Sequence, residues 1–178
     1  SGVVSRLLKA HSSSLISNDL EDYAAVTGRC YLRNRSAVDL QAVAQVVADC
    51  NARVSAEMSP GFIEELYAPR DEDRITREDR VFYTKANARR LDNYRRLIDT
   101  APCEMKDLLL APLLSKASVH ANTAGVFKGF YKNGETGAGQ FGGSGSDALL
   151  RILGEIKLEV PVLSNFECEY QVHQEDAN

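Results

Sequence analysis

The sequence predicts an α/β fold in which part of a Rossmann-like sheet carries a large, mainly helical insertion. Helix, strand and helix patterns follow one another in the first 33 residues, helical periodicity dominates the middle, and alternating apolar residues return near the end. This order fits one α/β sheet interrupted by a helical segment. We therefore expect residues 1–33 to begin a ligand-binding α/β unit, residues 34–154 to form the insertion, and residues 155–178 to return to the sheet.

The first region is predicted to contain a short helix, a strand and a second helix. Apolar residues of the segment 3–10 fall on one helical stripe, and the apolar run at 15–17 is of strand type. Helical spacing recurs over residues 23–31, with arginines near the C-terminal end, where positive charge suits the helix dipole. Asp19 is therefore expected where a strand gives way to a helix.

The middle region is predicted to contain several helices joined by an exposed connector. Ser36 can cap a helix whose valines lie on one inner face, and Thr84 can cap the helix that follows it. Residues 59–80 combine Pro, Gly and a run of mixed charge, which predicts the connector. Pro102 opens a further helix that Pro112 is expected to bend or interrupt.

Two further patterns follow towards the end of the sequence. Six of the 12 glycines lie between Gly134 and Gly145, which predicts a mobile loop. This segment contains a GxGxxG spacing, but it lacks the preceding strand and following helix of a dinucleotide-binding fingerprint. Residues 155–163 and 166–174 alternate apolar and polar side chains, so we expect two half-buried strands, with Pro161 at a sheet edge or bulge.

Composition argues against several classes of function. The net charge of −4 argues against a surface that attracts nucleic acid everywhere, although it leaves room for a local basic patch. The four cysteines and three histidines are widely spaced, so we expect no metal site and reduced thiols in a cytoplasmic protein. No apolar run approaches the roughly 18 residues that a membrane-spanning helix needs.

Two groups of residues are candidates for binding. Asp19 follows Gly2 at a spacing close to the roughly 20 residues of a mononucleotide-binding unit, whose acid accepts hydrogen bonds from ribose hydroxyls. The alternative is that Asp19 caps the helix that follows it. Lys85, Arg89 and Arg96 lie on roughly one helical face, which suits a phosphate backbone. The alternative for this second group is a solvated basic face.

Four segments together resemble one enzyme family. They are residues 2–32 (GVVSRLLKAHSSSLISNDLEDYAAVTGRCYL), 82–98 (FYTKANARRLDNYRRLI), 108–132 (LLLAPLLSKASVHANTAGVFKGFYK) and 167–178 (ECEYQVHQEDAN). Their order and spacing resemble bacterial and phage adenine-specific DNA methyltransferases of restriction-modification type. In that group a glycine motif comes first, then a target-recognition region, then Asp-Pro-Pro-Tyr. The resemblance covers nearly the whole chain.

The resemblance implies a binding site for S-adenosylmethionine. The FxGxG turn of the family cradles this cofactor, and Gly2 matches its last glycine, so the front half of the turn is missing. Asp19, followed by Leu20, matches the acid that holds the cofactor ribose, which favours ligand binding over helix capping. Asp176 and Ala177 resemble the motif near the cofactor adenine, where the family often has a larger apolar residue than alanine. An exposed acid near a terminus is the alternative for Asp176.

The resemblance also implies contacts with double-stranded DNA. Residues 34–154 correspond to the region that contacts and recognises the target sequence. By position, the candidates for DNA contacts are Lys85, Arg89, Arg90, Asn122, Thr123, Lys128 and Lys132. A helix cap is the alternative for Asn122 and Thr123. A cognate restriction endonuclease is an expected partner, and no oligomeric state is predicted.

The catalytic motif of the family is absent from this sequence. Family members use Asp-Pro-Pro-Tyr to bind the amine of a flipped adenine and to stack its ring, but the five prolines here stand apart. No catalytic residue is therefore assigned in this chain. We expect the central part of an enzyme that methylates the exocyclic amine of adenine in a specific duplex sequence, inactive by itself and with weak affinity for cofactor. The alternative is a non-catalytic DNA-binding or scaffold module derived from the same fold.

Overall fold

The computed structural model describes residues 2–123, 129–143 and 146–176. Helix α1 (Val3–Leu8) precedes strand β1 (Ser14–Asn18). The helices that follow are α2 (Asp22–Tyr31), α3 (Leu40–Ala56), α4 (Phe62–Tyr67), α5 (Lys85–Asp99), α6 (Cys103–His120) and α7 (Ser146–Leu153). Strand β2 (Glu169–His173) comes last, so the chain is mainly helical with a small share of strand.

Strands β1 and β2 form a parallel two-stranded sheet. Leu15 lies opposite Tyr170 and Ser17 lies opposite Val172, although most of the chain separates the two strands. A parallel pair requires a crossover connection, and this connection consists mainly of helices. The prediction of mixed helix and strand, with the last region returning to the first, is confirmed in this coarse form. The residues that the structure describes contain two paired strands, whereas a Rossmann-like sheet has more strands than this.

One face of the sheet is covered and the other is exposed. Helix α2 lies close to β2 at Gly28, where an added Cβ would come 3.1 Å from a methyl group of Val172. On the opposite face Ile16 is 68% exposed, as the alternation of side chains along a strand requires. The small core on the covered face is formed by Leu15, Leu32, Cys168, Tyr170 and Val172.

The first of the two predicted closing strands does not form. Residues 155–163 have no strand pairing, although Ile156, Leu158 and Leu163 are buried. The prediction was wrong because alternate side chains can be buried without a hydrogen-bonded ladder, and Pro161 has no N–H to donate to one. Strand β2 does form within the second predicted strand.

The helix predictions are confirmed in position and corrected in detail. Thr84 caps α5, because its Oγ1 accepts a hydrogen bond from an N–H of the first turn at 3.1 Å. Helix α3 is capped by Asp39 and not by Ser36, since Oδ1 of Asp39 accepts from two N–H groups of the first turn at 3.0 and 2.9 Å. Helix α6 continues through Pro112 without interruption, and the predicted connector contains α4.

The described part of the glycine-rich segment contains a compact hairpin over residues 132–139. An isolated antiparallel bridge joins Lys132 to Gly139, and the N–H of Asn133 donates to the carbonyl oxygen of Ala138 at 2.8 Å. Gly139 packs so closely on Val81 that an added Cβ would collide with the valine side chain. Glycine at this position permits close packing within the protein.

The chain divides into two compact units. Unit 1 comprises residues 1–49, 98–114 and 158–178, and unit 2 comprises residues 50–97 and 115–157. Unit 1 contains the sheet, whereas unit 2 contains α4, the hairpin, α7 and most of α5. The predicted regions differ from these units, because residues 34–49 and 98–114 group with the sheet and not with the predicted insertion.

The four cysteines, all within the described residues, form no disulfide, and most of them are buried. Cys30, Cys50 and Cys168 are buried and Cys103 is exposed. Burial raises the pKa of Cys30 to about 12, so this thiol packs in the core and is a poor nucleophile. In the described parts of the chain, no helix is long and apolar enough to cross a membrane. The same residues contain no group of three or more His, Cys, Asp and Glu side chains able to hold a metal ion.

Candidate functional site

The carboxyl edge of the sheet brings together residues from distant parts of the chain. Asp19 and Leu20 follow β1, and Asp176 follows β2. Because the strands are parallel and paired in register, their C-terminal ends lie side by side. Ligands of open α/β sheets bind beyond the carboxyl ends of the strands. Three of the predicted cofactor-binding residues therefore share the edge where such a ligand is expected.

Hydrogen bonds tie the end of each strand to the segment that follows the other strand. The side chain of Asn18 donates to the carbonyl oxygen of Glu175 at 3.1 Å and accepts from the N–H of Glu175 at 3.0 Å. The N–H of Asp19 donates to the carbonyl oxygen of His173 at 3.3 Å. These contacts set the geometry of the edge and hold these segments together.

The carboxylate of Asp19 keeps free acceptor capacity. Its Oδ1 accepts a hydrogen bond from the N–H of Glu21 at 3.1 Å, which closes a turn at the start of α2. Glu21 is itself the N-cap residue, so this bond does not satisfy the N–H groups that a helix cap serves. The exposed Asp19 has no further side-chain partner within the described residues, which leaves Oδ2 open to solvent or a ligand.

Leu20 and Asp176 complete the exposed part of this edge. Leu20 is 65% exposed, and its carbonyl oxygen accepts a hydrogen bond from the side chain of Gln174 at 3.4 Å. Asp176 is exposed and lies directly after the turn that Asn18 holds. Ala177, the last predicted cofactor-binding residue, lies outside the described residues. The edge thus combines acidic acceptors with an apolar surface.

Gly2 precedes α1 in a conformation that glycine adopts without strain. Its φ of 65° lies in the left-handed region, and an added Cβ would come 3.7 Å from a methyl group of Thr27. The hydroxyls of Ser5 and Ser17 are 3.3 Å apart and join α1 to β1. Gly2 is therefore positioned by the same helix–strand–helix unit that presents Asp19.

Sequence analysis did not identify Lys9, a buried lysine that connects the two helices of this unit. Lys9 is 1% exposed, and its ammonium donates to the carbonyl oxygens of Leu32 and Arg33 at 2.9 and 3.0 Å, at the C-terminal end of α2. Burial lowers the pKa of Lys9, while carbonyl groups at a helix C-terminus stabilise its positive charge. Lys9 thereby links the ends of α1 and α2. A single lysine in a polar segment carries no sequence signal of burial.

A second set of contacts fixes the chain just before β2. The side chain of Asn34 donates to the carbonyl oxygen of Cys168 at 3.0 Å and accepts from its N–H at 3.3 Å. The carboxylate of Glu167 accepts from the N–H and the hydroxyl of Ser36, both at 2.8 Å. These bonds hold the pKa of Glu167 below its ordinary value. Because β2 follows directly, they also position Asp176.

In unit 2, two of the three predicted DNA-contacting cations of α5 are paired with carboxylates. Nε and Nη2 of Arg89 donate to the two carboxylate oxygens of Glu64, each at 2.6 Å. Nη2 of Arg90 lies 2.5 Å from Oε1 of Glu155. The ammonium of Lys85 donates to a backbone carbonyl at 2.9 Å and has no carboxylate within salt-bridge distance among the described residues. The three cations therefore differ in their availability to DNA.

Asn122 is fully buried and serves the structure of unit 2. Its amide donates to the carbonyl oxygens of Val81 and Gln140 at 2.6 and 2.8 Å, and its oxygen accepts from the N–H of Gly142 at 2.9 Å. These bonds use both amide hydrogens, so the side chain has none left for DNA in this conformation. Thr123 pairs with the hairpin in an isolated bridge.

The remaining predicted DNA contacts are Lys128 and Lys132. Lys132 is exposed, and its ammonium lies 5.4 Å from the centre of the Phe130 ring. It has no carboxylate partner within the described residues. Lys128 lies outside the residues that the structure describes. Among the predicted contacts in unit 2, Lys132 and Lys85 thus carry positive charges that no described carboxylate neutralises.

Comparisons with known proteins returned no relative of this chain. No protein-family model, no curated protein and no solved structure matches it. The case for a function therefore depends on the geometry of the sheet edge and of unit 2.

Proposed function

We propose that this chain contributes the ribose-binding edge of an S-adenosylmethionine site, and part of the DNA-contacting region, to an adenine-specific DNA methyltransferase. In this proposal β1 and β2 belong to a Rossmann-like sheet, where neighbouring parallel strands present ligand-binding residues at their carboxyl ends. The observation that carries the proposal is the position of Asp19, Leu20 and Asp176 at one sheet edge.

The chemistry of this edge suits the nucleoside part of the cofactor. The two ribose hydroxyls are donors, and the open Oδ2 of Asp19 is a charged acceptor for them. Hydrogen bonds to a charged acceptor are roughly twice as strong as bonds between neutral groups. Leu20 offers an exposed apolar surface for the adenine ring, and Asp176 comes from the neighbouring strand end.

The proposed DNA-contacting role depends on unit 2. Lys85 and Lys132 have no carboxylate partner in the described part of the chain, whereas Glu155 neutralises Arg90. Each phosphate contact by a cation releases counterions from DNA, so affinity falls as the salt concentration rises. We therefore expect Lys85 and Lys132 to contribute more to the salt dependence of DNA binding than Arg90.

Methyl transfer requires a group that this sequence lacks. In the proposed reaction the adenine amine attacks the methyl carbon of the sulfonium, so a C–N bond forms as the C–S bond breaks. The products are methylated adenine, S-adenosylhomocysteine and a proton. No Asp-Pro-Pro-Tyr is present to orient the flipped adenine. We therefore expect this chain to bind cofactor weakly and to transfer no methyl group unaided.

An NMR titration of the 15N-labelled chain with S-adenosylmethionine tests the cofactor proposal, because chemical shifts report weak binding residue by residue. We expect saturable shifts of the Asp19, Leu20 and Asp176 amides at millimolar cofactor, with S-adenosylhomocysteine shifting the same set. Shifts confined to unit 2, or no shifts at all, would contradict the cofactor site. A chain that binds duplex DNA but does not respond to cofactor would favour the non-catalytic DNA-binding module.

A further inference from the structure

Two cations of α5 lie near one carboxylate in unit 2. Lys85 and Arg89 are one helical turn apart, and Arg89 forms a bidentate ion pair with Glu64, with both N–O distances at 2.6 Å. Lys85 and Glu64 line the same groove, which has a volume of about 770 Å³. Glu64 thus pairs with Arg89 and lines the same groove as Lys85. The sequence predicts that both of these cations contact DNA phosphates.

The backbone of α4 holds Glu64 in place. The N–H groups of Ile63 and Glu64 donate to the carboxylate of Asp92, both at 3.0 Å, and Asp92 is 3% exposed. Gly61 makes this contact sterically feasible, because an added Cβ would collide with the Asp92 side chain. The start of α4 is thus anchored independently of the Glu64 side chain, so that side chain can move without loss of the helix.

The electrostatic environment of Glu64 is that of an anion bound by cations. Hydrogen bonds from Arg89 hold the pKa of Glu64 below its ordinary value, and the charges of Arg89 and Lys85 act in the same direction against the effect of burial. The same pairing raises the pKa of Arg89. The Arg89 side chain is 33% exposed and that of Glu64 is 11% exposed, so solvent reaches the ion pair from the side of the arginine.

We propose that the Glu64 carboxylate occupies the position of a DNA phosphate, and that a phosphodiester displaces it from Arg89, in the groove that Lys85 also lines, when the duplex binds. A carboxylate and a phosphodiester each offer two oxygen atoms to the planar fork of a guanidinium, so one can replace the other. The inference rests on the proposed DNA-binding function and names the group that competes with DNA at this site.

The neighbouring ion pair on α5 makes a useful contrast. The side chain of Arg90 is 16% exposed, half the value for Arg89, and it meets Glu155 through one nitrogen. The guanidinium of Arg90 is therefore less accessible to a phosphate of a duplex than that of Arg89. The exchange is therefore assigned to Glu64 and Arg89 and not to Glu155 and Arg90.

Fluorescence anisotropy with a labelled DNA duplex, measured over a series of salt concentrations, tests the exchange. We expect Glu64→Gln to tighten binding roughly tenfold and to steepen the salt dependence by about one counterion, because a phosphate contact is freed. Glu65→Gln is the matched control, since Glu65 is adjacent on α4, exposed, and without an ion pair among the described residues. It removes the same charge from the same groove, so its effect measures repulsion of DNA by a carboxylate that has no cation partner among the described residues.

The outcomes separate this inference from the function on which it rests. If Glu64→Gln and Glu65→Gln change affinity and salt dependence equally, the exchange is refuted while DNA binding stands. If the unaltered chain binds no duplex DNA, the proposed function fails. The double variant Glu64→Gln/Arg89→Gln must lose the gain. If Glu64→Gln fails to fold, Glu64→Asp replaces it, because the shorter side chain keeps the charge but withdraws it from Arg89. We expect a smaller gain in DNA affinity from Glu64→Asp, and no gain would refute the inference.

Discussion

Polar side chains have different environments in the two units of this protein. In unit 2, Asn122 and Asp92 are buried, and backbone groups of the protein use their hydrogen-bonding capacity. In unit 1, Asp19 and Asp176 are exposed beyond the ends of two parallel strands, and Asp19 keeps one oxygen without a described partner. Burial and the number of hydrogen-bond partners, and not residue type, therefore separate a structural polar residue from a candidate for ligand binding.

The contrast has a physical origin. A buried polar group without a partner costs about 1–3 kcal/mol, so the interior retains polar side chains only where the backbone satisfies them. An exposed carboxylate exchanges water for a ligand at little cost. Arg89 lies between these two cases, since it is paired but partly exposed. We therefore expect substitutions in unit 2 to lower stability and those at the sheet edge to lower binding.

The largest expected effect is on the stability of unit 2, through Asn122→Ala. The substitution removes three hydrogen bonds and leaves two carbonyl groups and one N–H without this partner, so we expect a loss of about 3 kcal/mol in the free energy of unfolding. Urea unfolding measures it. Gln41→Ala, at an exposed position, is the control and should change stability by less than about 0.5 kcal/mol. A stable Asn122→Ala variant with weakened DNA binding would restore Asn122 as a DNA contact.

A smaller effect is expected from glycines of the hairpin. Gly139→Ala places a methyl group against Val81 and Phe130, and we expect it to cost about 2 kcal/mol of stability. Gly134 has no neighbouring atom within 4 Å of an added Cβ, so Gly134→Ala should be neutral or slightly stabilising. Thermal unfolding of the two variants compares them. Equal melting temperatures would show that Gly139 is not closely packed against Val81.

A pH effect of about 1 kcal/mol is expected from Asp79. Its carboxylate accepts hydrogen bonds from the N–H and hydroxyl of Thr76, each at 2.8 Å, and these lower its pKa. A lowered folded-state pKa means that this stability is complete above the unfolded pKa of about 4 and is lost as the pH falls below it. Asp79→Asn should flatten the decline in acid-dependent unfolding. An unaltered dependence of stability on pH would show that Asp79 does not contribute to it.

The smallest effect distinguishes free from paired cations in DNA binding. Lys132→Ala should weaken duplex binding by less than about 1 kcal/mol and reduce the slope of log affinity against log salt by about 0.9. Arg90→Ala should leave the slope unchanged, because Glu155 already neutralises that side chain. Anisotropy titrations at several salt concentrations measure both. The reverse ranking would show that the ion pair of Arg90 opens on DNA.

The sequence predicts those parts of the fold that depend on local patterns. Helical spacing predicts α2, α3 and α5, and Thr84 caps α5 as expected. Strand-type residues predict β1, and the junction at Asp19 follows from the order of strand and helix. The family resemblance adds Asp176, which no local pattern marks, and the parallel sheet places the strand ends that precede Asp19 and Asp176 side by side.

The remaining features depend on contacts between residues far apart in the sequence. Helical spacing treats Arg89 and Lys85 alike, but only the fold determines that Glu64 pairs with Arg89. Likewise, the sequence around Asn122 gives no sign that three backbone groups meet its amide. The apolar stripe of α1 is predicted correctly as a helix, yet Val4 is 69% exposed, so periodicity alone does not establish burial.

We propose that the Asp19 carboxylate binds the sugar of the methyl donor, and the proposed cofactor site depends on this contact. The most direct test is the NMR titration with S-adenosylmethionine repeated on Asp19→Asn and on Glu21→Gln, which changes an exposed acid two positions away. We expect Asp19→Asn to bind S-adenosylmethionine at least about tenfold more weakly, because a charged acceptor is lost, and Glu21→Gln to bind it almost as well as the unaltered chain. Equal affinities of all three proteins, with measurable binding, would contradict it.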